Sequence, residues 1–498
     1  MREKDIKRLV VKQLKKNFPD WRRLTRKEKK RLAQQVLDEV VADYTGENLE
    51  KVALNELTNT PQPPTGLIGL SQMEGFIKET TRCLLRLPSR HWQKHFADAE
   101  LQLIDELLDD RVLHRLVVPD HFTASMRDVY PHHYVRAELL KALRYPEFSY
   151  RKYCAEVINR LDNKRERAFI HLPLHKQIKI DHSQLSVFRS GLSVSQQMNL
   201  MVYVIHLLIK NGRIDHPFQI CGVDSSDLAV VCRPYPVAKI KIGEKTVRIY
   251  SELDADCGKR RKKRDKSDFF VGYRVHTLVA IDPATGHNYP LLSLVAPGNH
   301  HDNLFLTQLL CFGQALGLEV QVITADEGYT DAQQNEKIRK KYGVTVIAPA
   351  SAKTALPEHV DPQSHAVYMN GNCEIPMAYA GRTETGHEFS CTVNAHECFH
   401  APTCLRSREI ELDSGLFGQI PDQVEGVDQV RGLRKNMERV YNLLKHREGL
   451  EPLRVRSQHA VMSAVTFAQM ATLLLEIADT RRTPQEQQAV PKQLRFAG

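Results

Sequence analysis

The sequence lacks a long, uncharged hydrophobic run. Its longest weakly charged stretch, AVMSAVTFAQMATLLLEIA, still contains Gln469 and Glu476, and its first ten residues, MREKDIKRLV, contain no apolar signal-peptide core. These absences argue against a signal peptide and against a membrane span. We therefore expect a soluble cytoplasmic protein, whose 498 residues and 42% hydrophobic content are enough for several folded domains.

Cysteine is sparse and mostly scattered. Six of the ten cysteines occur singly, which is not typical of a disulfide framework and favours a reducing compartment. The other four fall within 32 residues: Cys373, Cys391, Cys398 and Cys404. Four thiolates can close a tetrahedral zinc site, but no Cys-x2-Cys pair is present. A structural zinc and unligated thiols are therefore both open interpretations.

Acidic residues are outnumbered, and the excess of basic residues is uneven. The net charge is +10, and residues 1–40 alone carry 14 Lys or Arg against 6 Asp or Glu. A second basic run, GKRRKKRDK at 258–266, includes Lys259, Arg260 and Arg261. Such runs favour a polyanionic partner such as DNA or RNA, because neutralising phosphates releases counterions. The alternative is a solvated helix face and a mobile loop.

The chain divides into four predicted regions. Residues 1–60 form a basic helical DNA-contacting arm, whose second helix opens with a Thr25–Glu28 capping box, and the proline-rich run TNTPQPPTG marks a linker. Helical spacing over 67–215 predicts an all-helical domain, which we expect to bind DNA. A catalytic domain then covers 216–480, and 481–498 is a polar tail.

The catalytic region is predicted to have a mixed α/β fold. Strand patterns in FQICGVDSS, DFFVGYRVHTLVAID, YPLLSLVAPG, EVQVITADEGY and VTVIAPA are interrupted by a helical pattern in DNLFLTQLLCFGQALG. Residues 350–425 look irregular and form an insertion, and helical periodicity returns at VRGLRKNMERVYNLLKHREGL. The insertion therefore precedes the last catalytic helix.

Two apolar strands each deliver an aspartate, Asp224 in ICGVDSSD and Asp326 in VITADEGY. Two carboxylates that meet in a partly buried site need a cation, and Mg²⁺ binds through such groups together with phosphate oxygens. For either residue alone, a turn or capping role is the simpler interpretation. Turn or capping roles are also favoured for a nearby set: Asp227, His300, His301 and Asp302.

The last helix adds a charged stripe. At about 100° per residue, its members share one face, with Arg431 at the margin. They are Arg434, Glu438, Tyr441 and Lys445. Read alone, the stripe could be a set of surface ion pairs, but beside two aspartates it predicts a third metal carboxylate with phosphate-binding cations. Glu448 and Glu451 are rival third carboxylates.

Taken together, these motifs resemble the DDE transposases of bacterial insertion sequences, which have an RNase H-like fold. GVDSSD, GYRVH, PGNHHDN and ADEGYTD are similar to motifs of that family, and the last helix resembles its Tyr-x2-Arg-x3-Glu-x6-Lys signature. The resemblance covers about residues 180–470. One position departs, since Arg431 stands where the signature has tyrosine, which puts a hairpin intermediate in doubt.

The resemblance implies an RNase H-like mixed sheet flanked by helices, in a protein that cleaves transposon ends and joins the 3′-OH to target DNA. It implies that Asp224, Asp326 and Glu438 hold two Mg²⁺ ions, for which Mn²⁺ can substitute, and that Arg434 and Lys445 contact the transposon end. Arg431 and Tyr441, on the same face, are further DNA-binding candidates. The implied partners are double-stranded terminal repeats, target DNA and a second copy of the chain, in the bacterial cytoplasm. Competing functions are an RNase H-like nuclease without strand transfer and an inactive, domesticated DNA-binding protein.

Overall fold

The structure is a computed structural model of the whole chain. It describes residues 3–43, 62–82, 98–118, 129–174, 177–231, 235–242, 245–261, 267–300, 302–329, 331–349, 356–369, 373–394, 397–398, 404–411, 424–447 and 449–481. The polar tail from residue 482 onward and part of the basic run, 262–266, lie outside these ranges.

The amino-terminal region is a helical hairpin docked on the rest of the protein. Helices α1 (Glu3–Asn17) and α2 (Arg26–Asp43) bury their apolar faces against a strand hairpin formed by β2 (Ala238–Ile242) and β3 (Lys245–Ile249). The predicted capping box is confirmed, because the Thr25 N–H donates to the Glu28 carboxylate at 2.7 Å and the Glu28 N–H donates to the Thr25 hydroxyl at 3.3 Å.

Specific contacts fix this docking. The Trp21 indole N–H donates to the Ser251 carbonyl at 3.1 Å, and Lys7 pairs with Asp256 at 2.6 Å. Both contacts join residues that are more than 200 positions apart in the sequence. The region is therefore packed against the strand region that follows residue 237 and is not a free arm.

Helices follow up to residue 210, as the sequence predicts. They are α3 (Leu70–Arg82), α4 (Ala99–Leu107), α5 (Asp110–Val117), α6 (Pro131–Arg144), α7 (Tyr150–Tyr153), α8 (Lys164–Ile170), α9 (His182–Gly191) and α10 (Val194–Lys210). A buried ion-pair group lies among them, in which Arg136 donates to Asp105 at 2.7 Å and to Asp110 at 2.6 Å. The two aspartates offset the charge of the fully buried guanidinium.

The central sheet has the strand order β6-β5-β1-β7-β8, with β4 pairing the start of β5. Its strands are β1 (Phe218–Ala229), β4 (Asp256–Arg261), β5 (Ser267–Ile281), β6 (Asn288–Pro297), β7 (Val320–Ala325) and β8 (Thr345–Ile347). The first three neighbours, β1, β5 and β6, are antiparallel, whereas β7 and β8 run parallel to β1. Parallel strands need crossover connections, which α11 (Asn303–Ala315) and α12 (Ala332–Tyr342) supply.

This arrangement confirms the predicted fold class, an RNase H-like mixed sheet flanked by helices and preceded by a helical region. One detail differs from the sequence prediction. β1 does not end at its aspartate but continues five residues farther, to Ala229, because β5 is long enough to pair with it over that whole length.

The region predicted as irregular contains a small antiparallel sheet. Its strands, β9 (Ala378–Arg382), β10 (Gly386–Ser390) and β11 (Ser407–Glu411), enclose a separate apolar cluster around Phe389. Five-residue strands give too little alternation to be distinguished from loops by pattern alone. Arg382 ties this sheet to the central domain by donating to Glu336 of α12 at 2.5 Å.

The carboxyl-terminal helices complete the fold. α13 (Val427–Leu433) runs through one 3-10 turn, Arg434–Asn436, into α14 (Met437–Asn442) and a π-helical turn, Leu443–Arg447. α15 (Gln458–Arg481) then packs on both the helical region and β6. Within the described residues, its segment Gln458–Asp479 is long and apolar enough to cross a membrane, but 89% of its apolar window is buried, as in a core helix.

One hydrophobic core spans both halves of the chain. It includes Val135 and Leu200 from the helical region, Val223 and Leu278 from the sheet, and Leu474 from α15. The domain boundary near residue 215 therefore stays a prediction, and the packing across it is continuous.

Candidate active site

The two strand aspartates lie side by side. β1 and β7 are paired in parallel with Val223 opposite Ala325, so that the next residue of each chain, Asp224 and Asp326, comes at the same level of the sheet. Mostly apolar residues precede both aspartates, and Asp326 directly follows the end of β7. The sequence pattern thus brings two carboxylates to one place on neighbouring strands.

Asp224 is largely buried, and this changes its proton affinity. Burial raises the pKa of Asp224 to about 6, with added repulsion from Asp326 and Asp302; the Ser225 N–H and Arg434 oppose the shift. The Ser225 N–H donates to its carboxylate at 2.7 Å. The shift is caused mainly by burial, and a bound cation would oppose it by favouring the charged carboxylate.

Asp326 has two roles in the structure. One carboxylate oxygen accepts a hydrogen bond from the Gly328 N–H at 2.9 Å, which shapes the 3-10 turn Glu327–Tyr329 after β7. The other oxygen faces Arg434, whose guanidinium lies at 4.0 Å. The Asp326 side chain is 46% exposed. The turn role and the site role are therefore compatible.

A third acid, Asp302, completes the group. It accepts from the Ser225 hydroxyl and from Arg274, each at 3.0 Å. Sequence reasoning favoured a capping role, but Asp302 makes no side-chain cap with α11. Arg274 was not singled out before; its signal was its place in GYRVH, between the buried positions Tyr273 and Val275.

A buried histidine lies next to Asp302. The His276 ring is stacked on Phe305 with centroids 4.0 Å apart, and its Nδ1 lies 3.4 Å from the buried Tyr329 hydroxyl. Burial lowers the pKa of His276 to about 3, aided by Arg274 and His300. GYRVH and ADEGY therefore contact each other through this histidine, whose Nδ1 also lies 3.8 Å from the Asp302 carboxylate.

The helix that carries Glu438 is clamped to β1. Because Gly222 has no side chain, Met437 can pack directly on the backbone of β1. A Cβ at position 222 would lie 2.1 Å from the Met437 sulfur. One turn later, the buried Tyr441 hydroxyl donates to the Asp224 carbonyl at 2.6 Å. Glu438 stands between these two anchors, with an exposed side chain.

The structure places the other members of the stripe differently. Tyr441 has a buried ring, which corrects its assignment to DNA binding: the sequence stripe ignored that the same face packs on β1. Arg431 pairs with Asp428 at 3.6 Å, and Lys445 pairs with the rival carboxylate Glu451 at 3.7 Å. The other rival, Glu448, lies outside the described residues.

The basic run begins on strand β4. Lys259 is exposed there, and its carbonyl accepts from Arg274 at 3.4 Å, so the run starts next to the acidic group. Arg260 and Arg261 continue β4, although their side chains are outside the described part of the structure. Both remain predicted DNA contacts.

No preformed metal centre exists among the described residues, since none of their His, Cys, Asp and Glu side chains form a group of three able to hold an ion. The thiols of the cysteine cluster are partly exposed, and two of them bond locally: Cys373 to the Ile375 carbonyl at 3.6 Å and Cys391 to the Val393 carbonyl at 3.9 Å. Cys398 and Cys404 are likewise unbridged. The described residues thus give the zinc interpretation no support.

Comparison with known proteins gives one family match. Residues 242–474, just under half of the chain, match the family described as "Transposase DDE domain". The match includes Asp326 and Glu438 and begins after Asp224. No curated protein matches the chain.

Among solved structures, a cryo-EM structure of the piggyBac transposase synaptic complex with hairpin DNA is similar at 10% identity. The alignment covers 80% of this chain and 83% of that chain, with a TM-score of 0.25. Residues 242–474 of the chain are thus similar to a transposase DDE domain, and the remaining residues lie outside that match.

Proposed function

We propose that this protein is a DNA transposase of the insertion-sequence type, which cleaves DNA at transposon ends and joins the 3′-OH to target DNA. The observation that supports it most is the pair Asp224 and Asp326 on adjacent parallel strands, beside Arg434, in a chain with a transposase DDE domain. Double-stranded DNA is the substrate, and two copies of the chain act on it together.

The residues around the pair have separable roles in this proposal. Arg434, only 4.0 Å from Asp326 and not hydrogen bonded to it, binds a phosphate oxygen of the DNA end. Ser225 and Arg274 hold Asp302 in place, and Tyr441 fixes the backbone at Asp224. Arg431 and Lys445 extend the phosphate contacts along the helix.

The chemistry of the acidic group suits a hard divalent cation, although the described side chains do not converge on one point as they stand. Asp224 is buried next to two other acids, and carboxylate oxygens are the ligands that Mg²⁺ and Mn²⁺ accept. Asp224, Asp326 and Glu438 would hold two such ions, which supply activation of the attacking oxygen and stabilisation of the leaving oxygen. Glu438 enters this set from the sequence signature, on a helix fastened to the same strand.

The test is the substitution Glu438→Gln, which keeps the size of the side chain and removes its charge. Purified protein is incubated with labelled transposon-end DNA, a supercoiled target and Mg²⁺, and binding, cleavage and joining are scored separately. We expect binding to persist and both chemical steps to fall by at least about 1,000-fold, because metal assistance to both oxygens is lost.

Asp428→Asn is the matched control, since it removes an exposed carboxylate from the same run of helix. It should leave cleavage within about twofold of the parent. Equal cleavage by the parent and Glu438→Gln would remove Glu438 from the site. A parent that cuts without joining would be a nuclease, and one that only binds would be a domesticated DNA-binding protein.

A further inference from the structure

A basic cleft lies beyond the end of β1, away from the acidic group. It has a volume of about 330 Å³ and forms where the amino-terminal helical hairpin meets the segment before α15. Four of its lining residues are cationic: Arg22, Lys29, Arg454 and Arg456. The walls therefore come from regions that are more than 400 residues apart in the sequence.

The cleft has an uncompensated positive charge. Glu252 is its one acidic residue among the described residues that line it, and it already accepts the Ser457 N–H at 3.0 Å. Partial burial lowers the pKa of Lys29, and nearby Arg456 lowers it further. Like charges held together in this way are stabilised by a bound anion.

The local backbone points these cations outward. In the run Leu453 to Arg456, Leu453 and Val455 are buried, whereas Arg454 and Arg456 are exposed. A bridge between Val230 and Leu453 fixes the run against the end of β1. The two arginines are therefore held on a supported extended segment instead of a loop of their own.

The position of the cleft suits a duplex that also reaches the acidic group. Val230 directly follows β1 and lies six residues past Asp224, a separation of about 20 Å along the extended chain. DNA advances about 3.4 Å per base pair, so this corresponds to roughly six base pairs. One straight duplex can therefore contact both places.

We propose that this cleft is a second phosphate-binding site, which grips the backbone of duplex DNA about six base pairs from the acidic group. This inference rests on the proposed function for its substrate class. The amino-terminal hairpin and the segment 452–456 form this site together, and none of its cationic residues belongs to the motifs that contain Asp224, Asp326 and Glu438. Because the contacts are to phosphate, the grip is independent of base sequence.

The test compares the full-length parent with the double substitution Arg454→Gln and Arg456→Gln. The probe is a fluorescent 30-base-pair duplex of arbitrary sequence, titrated at several salt concentrations. We expect affinity to fall about tenfold at 0.1 M salt and the slope of log K against log salt to shrink by about 2, one for each lost phosphate contact.

Lys337→Gln with Lys340→Gln is the matched control. These exposed lysines of α12 do not line the cleft, and their loss removes the same charge. An unchanged slope in the arginine variant, or an equal loss in the control, would overturn the proposal. Competition by poly-glutamate that depends on the two arginines and exceeds that of DNA would assign the cleft to an acidic protein partner.

Failure of this inference is distinguishable from failure of the proposed function. A parent that cleaves transposon ends, combined with an arginine variant that binds normally, refutes the cleft alone. A parent that never cleaves, combined with a weakened arginine variant, refutes the transposase and leaves the duplex grip in place.

Discussion

At the residue scale, side chains near the acidic group differ in whether they touch the DNA or hold the residues that do. Tyr441 shows the difference best, because the sequence stripe assigns it to DNA and the structure buries its ring. Its hydroxyl has a partner inside the protein, the Asp224 carbonyl at 2.6 Å. We therefore assign Tyr441 to positioning Asp224.

Tyr441→Phe tests this assignment. Removing the hydroxyl leaves a buried carbonyl without this donor, and we expect the free energy of unfolding to fall by about 1–2 kcal/mol. Cleavage should slow by about tenfold while the affinity for end DNA stays the same. Urea denaturation, DNA binding and single-turnover cleavage measure the three quantities. Lost affinity with unchanged cleavage would instead support a DNA contact.

At the element scale, the helix that carries Glu438 packs on β1 at Gly222, where the absence of a side chain leaves room for Met437. The sequence allowed the helix, its charged stripe and the two aspartates to be predicted. It did not allow the contact between Gly222 and Met437 to be predicted, because nothing in the sequence distinguishes Gly222 from any other glycine in a strand. The three strands of the insertion were missed for a similar reason, since they are short and their partners are distant.

Gly222→Ala should displace the helix that carries Glu438 from β1. The new methyl group would overlap the Met437 sulfur, and overpacking of this kind costs about 1–3 kcal/mol of stability. Cleavage should fall more steeply than end binding, because Glu438 moves with the helix. Adding Met437→Ala to the same chain should restore part of both losses, as measured by thermal unfolding and cleavage.

Gly75→Ala is the control for a glycine-to-alanine change. This glycine lies in α3 with open space around its Cα, so the substitution should stabilise the helix by about 0.5–1 kcal/mol. If Gly222→Ala were as benign, the helix would not depend on this contact.

Helix α6 contains a lysine whose charge opposes folding. Burial lowers the pKa of Lys141 to about 8 from 10.5, and Arg454 and Arg189 add to the shift while Glu138 counters it. Between pH 8 and pH 10.5 the unfolded chain binds more protons at this residue than the folded one. Its contribution to stability therefore improves as pH rises through that window, and the penalty is complete below pH 8.

Lys141→Met should remove this pH dependence. Between pH 8 and pH 10.5, we expect the free energy of unfolding of the parent to rise relative to that of the variant by up to about 3 kcal/mol. This value follows from the size of the pKa shift, at about 1.4 kcal/mol for each pKa unit. Urea denaturation of both proteins at four pH values measures the difference. A difference that stays constant across the window would contradict a buried, shifted lysine.

At the scale of the whole molecule, the basic amino-terminal region is part of the folded body. Its charge was evident from composition, but its docking was not, because the strands that receive it, β2 and β3, come some 200 residues later in the sequence. Deleting it would uncover apolar residues of that hairpin. Its contribution to DNA binding is therefore better tested by substitutions that leave the buried face intact.

The triple substitution Arg26→Gln, Lys27→Gln and Lys30→Gln removes three exposed charges from the outer face of α2. We expect weaker binding to arbitrary duplex DNA and a salt slope reduced by up to about 3, with unfolding unchanged within about 0.5 kcal/mol. Fluorescence anisotropy and thermal unfolding check the two parts. An unaltered salt slope would show that this face does not meet DNA.

The shared core has a consequence for how the protein is made. α15 fills the space between the helical region and the sheet, yet it is synthesised about 270 residues after α10. At a translation rate of about 5–20 residues per second, the helical region waits roughly 15–50 s for its last packing partner. Nascent chains thus expose apolar surface that only full-length synthesis covers. Ribosome-bound chains that stop before Gln458 should therefore bind chaperones, whereas chains that extend past Arg481 should be released folded.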